Sequence, residues 1–376
     1  MNVVVIGKGI LGLSIAEFLS RSGQAQVQVL SSTACSAASS AAAANLATKA
    51  QVFARDPHFD LKIRGKKIYR QWLVDLRKEC GEASPDDLSL VYCLATGRDV
   101  FDDANSCNAQ WRRVVQPVAE IAERGFQPQK IARSGECSIE YADEAWVDAQ
   151  YLLALLEKVC RARGVVFDEL DVAEVSDISA HVGQCDHLIL SAGAWTPRIL
   201  SAWGADSNCG FLQKRRWSFG GTLEIETSAR QIPENISLFE VVSELREPAK
   251  LTFSGNSRRL LCSSISVKCA DRGMSEIPSQ ISVAGQIALQ QKHMTEVAQE
   301  ILGCELNQVP HRFHWGMRLG FGHCELVVEQ LLVPALLPLV RKSLLVAAGA
   351  HKSGFLFAPC IGEIVMQKMQ AHKGIG

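Results

Sequence analysis

The 376-residue chain has almost no net charge, since 39 Lys and Arg against 40 Asp and Glu leave −1 at neutral pH. Without a basic excess there is no field to draw it onto nucleic acid or an anionic membrane. Lys214-Arg215-Arg216 is the densest basic run, and three charges read as a solvated turn. Long hydrophobic runs are missing too. The longest, Leu331 to Val340, is interrupted by Pro334 and Pro338 and ends in Arg341-Lys342, too short to span a bilayer. No cleavable apolar leader precedes the strand-like residues 2–6, so a cytoplasmic location is expected. The 13 cysteines are odd in number and form neither a C-x-x-C nor a Cys/His cluster. That pattern favours buried reduced thiols over disulfides or zinc. Nor is there an obvious Ser/His/Asp or paired-carboxylate constellation.

What is there begins at the N-terminus. Val3-Val4-Val5-Ile6 is an apolar, β-branched run, Gly7-Lys8-Gly9-Ile10-Leu11-Gly12 follows at once, and Ser14 to Leu19 has helical periodicity. Strand, glycine-rich turn and helix in this order are the context that a G-x-G-x-x-G match requires. Gly7 permits the tight turn, and Gly9 lets the backbone touch a pyrophosphate. Gly12 lets the helix lie close to the strand, while the helix N-terminus offers N–H groups and partial positive charge. The next strand, Gln26 to Leu30, ends in Ser31-Ser32. Dinucleotide folds usually place an acidic residue there to hold the ribose. Serine still donates and accepts, but without the charge.

Residues 35–47 are nearly all Ala and Ser, which suits either a flexible linker or a second phosphate-facing helix start. A helix is predicted over Asp60 to Arg77, and another near Val118 to Arg124. A third, Ala149 to Arg163, is capped by Asp148 and leads to a strand at Gly164 to Phe167. Asp186 to Leu190 reads as a buried strand that ends in a small-residue turn, Ser191 to Thr196. Phe211 to Val267 is β-rich, and a helix covers Val283 to Leu302. Ser343 to Ala348 is a strand, followed by a turn and a helix from Ala358 to Gln370. The length suits two domains, and 47% hydrophobic with 21% charged residues reads as an ordinary globular protein.

Four segments together resemble the FAD-dependent D-amino-acid oxidase superfamily, above all its glycine-oxidase and sarcosine-oxidase-like members. They are Gly7 to Gly12, Ser39 to Leu46, Leu190 to Pro197, and Ala348 to Pro359. The resemblance implies an α/β fold in which a Rossmann-like FAD-binding domain carries an interleaved α+β substrate domain built on a mostly antiparallel sheet. The expected division gives residues 1–85, 140–208 and 316–376 to FAD and residues 86–139 and 209–315 to the substrate. FAD would be held by Gly7, Gly9, Ile10, Leu11, Gly12, Ser31, Ser32, Ser39, Ala43, Ala44, Asn45 and Val172. Gly193, Trp195, Ala350, His351, Lys352, Ser353, Gly354, Phe355 and Leu356 would complete its site. In Trp315-Gly316-Met317-Arg318, Arg318 falls where relatives grip a substrate carboxylate; a surface arginine at a strand end is the plainer reading. Lys352 would be a second basic residue. His351 would tune the flavin or touch substrate, unless it is a simple loop histidine.

The implied activity is oxidation of a small amino acid or secondary amine to an imine, with oxygen or an electron carrier taking the electrons. Such catalysis asks for orientation and exclusion of water rather than acid–base side chains. A 2-hydroxy-acid dehydrogenase and a flavin-binding partner subunit with little activity stay open as alternatives, and a homo-oligomer is compatible. The family's Asp-Gly-x-Pro stretch is absent after Arg318, where the chain reads Gly320-Phe321-Gly322-His323-Cys324. The tyrosine expected over the substrate is absent around Lys250 to Phe253. Cys324 is read as a free thiol near the site.

Overall fold

A computed structural model describes residues 1–32, 38–46, 58–82, 88–101, 105, 107–108, 128–133, 136–205, 209–226, 239–242, 250–256, 259–264, 267–268, 280–302, 305–322 and 326–371. The helix expected near Val118 to Arg124 and the thiol of Cys324 lie outside the described residues.

Two sheets organise the chain. The first has six strands in the order β14-β15-β7-β1-β2-β6. These are β1 (Asn2–Ile6), β2 (Gln26–Ser31), β6 (Val166–Glu169), β7 (Cys185–Leu190), β14 (Val327–Leu331) and β15 (Val340–Ala348). All pairings are parallel except that of β14 with β15. The main sheet is therefore mostly parallel, as a sheet covered on both faces should be. The sequence of β1 shows why. Val3 and Val5 face a core made with α1 (Ile10–Ser20), α2 (Phe59–Glu79), α3 (Ala149–Ala162) and α7 (Gly354–Ala371). Val4 and Ile6 face the opposite core, with α4 (Val175–His181) and α5 (Thr196–Ala202). Strand order reverses beside β1, which creates a crevice at the carboxyl ends of β1 and β7, the usual ligand position in open α/β sheets.

The second sheet holds nine strands. They are β3 (Tyr92–Phe101), β4 (Pro128–Arg133), β5 (Glu136–Val147), β8 (Arg215–Glu226), β9 (Phe239–Val242), β10 (Lys250–Asn256), β11 (Arg259–Ser264), β12 (Val267–Lys268) and β13 (His311–Phe321). Its pairings are antiparallel apart from β3 with β9. Here β5 and β13 each cross a boundary expected from the sequence, near 140 and 316. Both belong whole to this sheet, because their ladders run unbroken past those positions on β4 and β8. The long helix α6 (Gln280–Leu302) packs on β8 and β11.

Several elements correct the sequence reading. The described part of the Ala/Ser segment is a turn at 38–41 and an isolated bridge from Asn45 to Trp146, not a helix start. Thr222 Oγ1 donates to Ala41 O at 2.8 Å and Leu46 N to Ala145 O at 2.8 Å, so the second sheet claims its backbone. Helix α7 starts at Gly354 rather than Ala358 and contains Pro359 within it. Asp148 caps α3 as read, accepting from Tyr151 N at 3.0 Å. Cys80, Cys93, Cys160, Cys185, Cys209 and Cys360 are free thiols, whereas Cys107 is disulfide-bonded, against the expectation of reduced cysteines. Burial pushes the Cys160 thiol up to about 12, which leaves it inert. Among the described residues no helix is long and apolar enough to cross a membrane, and no metal-binding cluster occurs.

Candidate functional site

A cleft of about 460 Å³ opens at the carboxyl ends of β1, β2 and β7 and reaches across to β13. That is an ordinary size for a small-molecule or cofactor site. Its centre is the β1–α1 turn. Gly7 has φ +115°, and a Cβ there would lie 2.4 Å from the carbonyl oxygen of Ser191. A Cβ on Gly12 would lie 1.9 Å from the carbonyl oxygen of Gly7. Both clashes are with backbone, so neither position tolerates a side chain. At Gly9 the situation differs, since its Cβ would meet only Ser39 Oγ, at 3.2 Å. Gly9 is the N-cap of α1 and has no side chain of its own to cap it, and the first turn holds no acid. Ser39 Oγ accepts from Ile10 N at 3.0 Å, which draws the 38–41 turn over the helix end. The helix N-terminus thus faces the cleft with donors and positive dipole, an anion site.

At one end of the cleft lie Ser31 and Ser32, with Leu170 to Ala173 beside them. Leu170 N donates to Ser31 O at 3.0 Å, so the chain leaving β6 follows the end of β2. At the other end stands Arg318. It is half-buried, and desolvation lowers its pKa. No carboxylate pairs with it among the described residues. Its guanidinium lies over Gly220 of β8, where an added Cβ would sit 2.7 Å from Cζ and Nη2. Directly opposite Arg318 in the ladder is Ser218, whose Oγ hydrogen-bonds with His351 Nε2 at 2.9 Å. His351 has φ +43°, uncommon for a residue with a side chain. Its N–H donates to Leu319 O at 3.2 Å, so β13 holds this conformation. Gly316 faces the 38–41 turn, where a Cβ would lie 2.7 Å from the Cα of Ala38.

The cleft brings together Gly7, Gly9, Ile10, Leu11, Ser31, Ser32, Ser39, Val172, Gly193, Trp195, Ala350, His351, Gly354 and Arg318. Other expected residues stand elsewhere. Lys352 is exposed and outside the cleft wall, because the backbone turn that points His351 inward sends its neighbour out. Phe355 and Leu356 are buried in the helix-side core, and Ser353 is buried at the start of α7. Ala43 packs with Trp146 and Leu261, and Ala44 lies in the helix-side core. Asn45 bridges to Trp146 and does not line the cleft. Gly12 acts through packing rather than contact. The sequence reading missed Ser218, Gly220, Asp171 and Arg198. Two adjacent glycines, Gly220-Gly221, inside a β pattern were the available signal, since glycine within a strand marks a close approach. Nothing in sequence marked the other three.

The sequence pattern of the FAD dependent oxidoreductase family matches residues 2–368. The chain belongs to this family. This FAD dependent oxidoreductase is similar to solved structures over nearly its whole length. Glycine oxidase from Geobacillus kaustophilus superposes with a TM-score of 0.72 at 16% identity, covering 99% of this chain and 95% of that one. Iminodiacetate oxidase from Chelativorans sp. BNC1 gives 0.67 at 18% identity, covering 98% and 95%. At such identities the likeness is one of fold. The bifunctional protein ThiO/ThiG of Synechocystis sp. is 29% identical over 217 residues, 53% of this chain and 31% of that protein. The chain thus spans about a third of that relative's length. FAD fits the residues present. The backbone at Gly9 leaves room for a diphosphate, and the first turn of α1, without an acid, presents its positive dipole to it.

Proposed function

We propose that this FAD-dependent enzyme oxidises a small amino acid or secondary amine to an imine. The observation that carries the reading is Arg318, a partly desolvated guanidinium without a carboxylate partner among the described residues, at the end of the cleft away from Ser31. Partial desolvation of a charge is costly, and a substrate carboxylate gripped by a planar fork would offset that cost. A bound FAD would supply the acceptor for the hydride lost by the carbon that bears the amine. The residues of this chain do the rest. Arg318 fixes the carboxylate and so aims the reacting carbon. His351, held by Ser218 and by β13, closes the wall beside it. The six-stranded part, residues about 1–85, 140–208 and 316–376, is assigned to the cofactor. Residues about 86–139 and 209–315 form the substrate part, with β5 and β13 moved wholly to it.

The names of the neighbours, glycine oxidase and iminodiacetate oxidase, support an amine bearing a carboxylate. Anaerobic titration of the purified yellow protein with glycine, sarcosine and D-alanine tests the reading. Bleaching of the flavin bands by one of them is the expected result. Bleaching by a 2-hydroxy acid alone would transfer the same site to alcohol oxidation, and no bleaching by any would remove the activity.

A further inference from the structure

We propose that Asp171 supplies the ribose-binding carboxylate for the adenosine of FAD that β2 lacks. Strand β2 ends in Ser31-Ser32, so the position that usually carries the acid holds hydroxyls. The neighbouring strand supplies the missing charge from the side. Ser31 pairs in register with Glu169, and the next residue, Leu170, continues the pairing through its N–H to Ser31 O at 3.0 Å. The chain then forms the cleft wall from Leu170 to Ala173, so the exposed Asp171 and the two serines line the same cleft.

Charge sorting within the cleft points the same way. Among the described lining residues Asp171 is the single carboxylate, against the cations Arg198 and Arg318, while Lys8 is paired with Glu157 at 3.1 Å. A carboxylate near the diphosphate would repel it. At the adenosine end the ribose diol offers a carboxylate two adjacent O–H groups, which it accepts in charge-assisted bonds. Asp171 also has its acceptors unspent. Nearby acids are occupied: Asp168 accepts from Gln28 Nε2 at 2.6 Å, and Asp177 from Ala173 N and Glu174 N at 2.9 and 2.7 Å. No described residue donates to Asp171.

The test uses the full-length chain stripped of flavin and titrated with FAD or with its 2′,3′-dideoxyadenosine analogue, followed by flavin fluorescence. The wild-type protein should prefer FAD over the analogue by about tenfold to a hundredfold, the span of a hydrogen bond to a charged group. Asp171→Ala should bring FAD down to the level of the analogue and leave the analogue's affinity and the far-UV spectrum unchanged. Glu169→Ala, which removes a neighbouring carboxylate outside the cleft wall, should keep the wild-type preference. The proposal is overturned if the wild type shows no preference, if Asp171→Ala keeps it, or if Asp171→Ala weakens both ligands equally.

Discussion

In the six-stranded sheet the site is made of backbone. The atoms that a side chain at Gly7 or Gly12 would strike are carbonyl oxygens of Ser191 and Gly7, at 2.4 and 1.9 Å. In the nine-stranded sheet the site is made largely of side chains, although Gly316 meets backbone, with a Cβ there 2.7 Å from the Cα of Ala38. The atoms that a side chain at Gly220 would strike belong to the far end of Arg318, which is free to swing. Backbone in a close-packed sheet has nowhere to go, whereas a guanidinium on a flexible stem moves at modest cost. One end of the cleft is therefore rigid to substitution and the other adjustable. An enzyme family that keeps one cofactor and varies its substrates needs that asymmetry.

The largest effects should come from breaking the rigid end, and its two kinds of glycine should fail differently. Gly12→Ala forces α1 away from β1, an overpacking cost of about 3 kcal/mol or more. Thermal melting should show a large loss of stability together with loss of flavin. Gly9→Val meets little protein, so the chain should fold with a near-native apoprotein Tm yet purify colourless, because the branched side chain takes the diphosphate's place. A yellow Gly9→Val protein would mean that the diphosphate lies elsewhere.

Next in size is the removal of the adjustable end's charge. Arg318→Ala should leave flavin content unchanged and lower kcat/KM for a carboxylate substrate. The loss of a buried charged pair costs about 2–5 kcal/mol. That is roughly thirtyfold to several thousandfold in rate. Arg318→Lys should recover only part, since an ammonium cannot form the planar fork. Normal turnover of an amino acid by Arg318→Ala would detach the carboxylate grip from β13.

The same asymmetry explains what was legible in the sequence. Gly7 to Gly12 could be read because a backbone-defined site leaves its mark in consecutive residues, and β1, α1 and β2 follow each other along the chain. The apolar strand at 186–190 and the turn after it were readable for the same local reason. The substrate end is assembled from distant pieces. Ser218, Arg318 and His351 meet only because β8 and β13 pair and the loop after β15 returns to them. No spacing encodes that. Lys352, Phe355 and Leu356 were assigned to the cofactor as a contiguous block, and the left-handed turn at His351 divides the block between cleft, solvent and core. In the Ala/Ser segment Ser39 does reach the cleft, while the helix start that alanine favours is absent from the described residues, because helix propensity is a weak prior and contacts with Thr222 and Ala145 outweigh it.

A smaller effect sharpens the comparison at Gly220. Gly220→Ala should fold and bind FAD, while its new methyl displaces the guanidinium of Arg318. The expected penalty is a KM rise of about tenfold for the carboxylate substrate, below the roughly hundredfold that a 1 Å misplacement of a catalytic group can cost. Flavin loss in this variant would show that the two ends are not separable.

The smallest effect belongs to Ser218. Its hydroxyl orients the His351 ring, but the loop keeps its second anchor, the His351 N–H on Leu319 O at 3.2 Å. Ser218→Ala therefore removes one hydrogen bond without releasing the turn, a net change of about 0.5–1.5 kcal/mol. If the ring orientation bears on turnover, kcat/KM should fall by about twofold to tenfold, with flavin content unaltered. Ser218→Thr, which keeps the hydroxyl, should restore most of it. An unchanged kcat/KM in Ser218→Ala would leave His351 as a loop residue whose backbone shapes the cleft and whose ring does not matter. The adjustable end would then reduce to Arg318 and the bare strand beneath it.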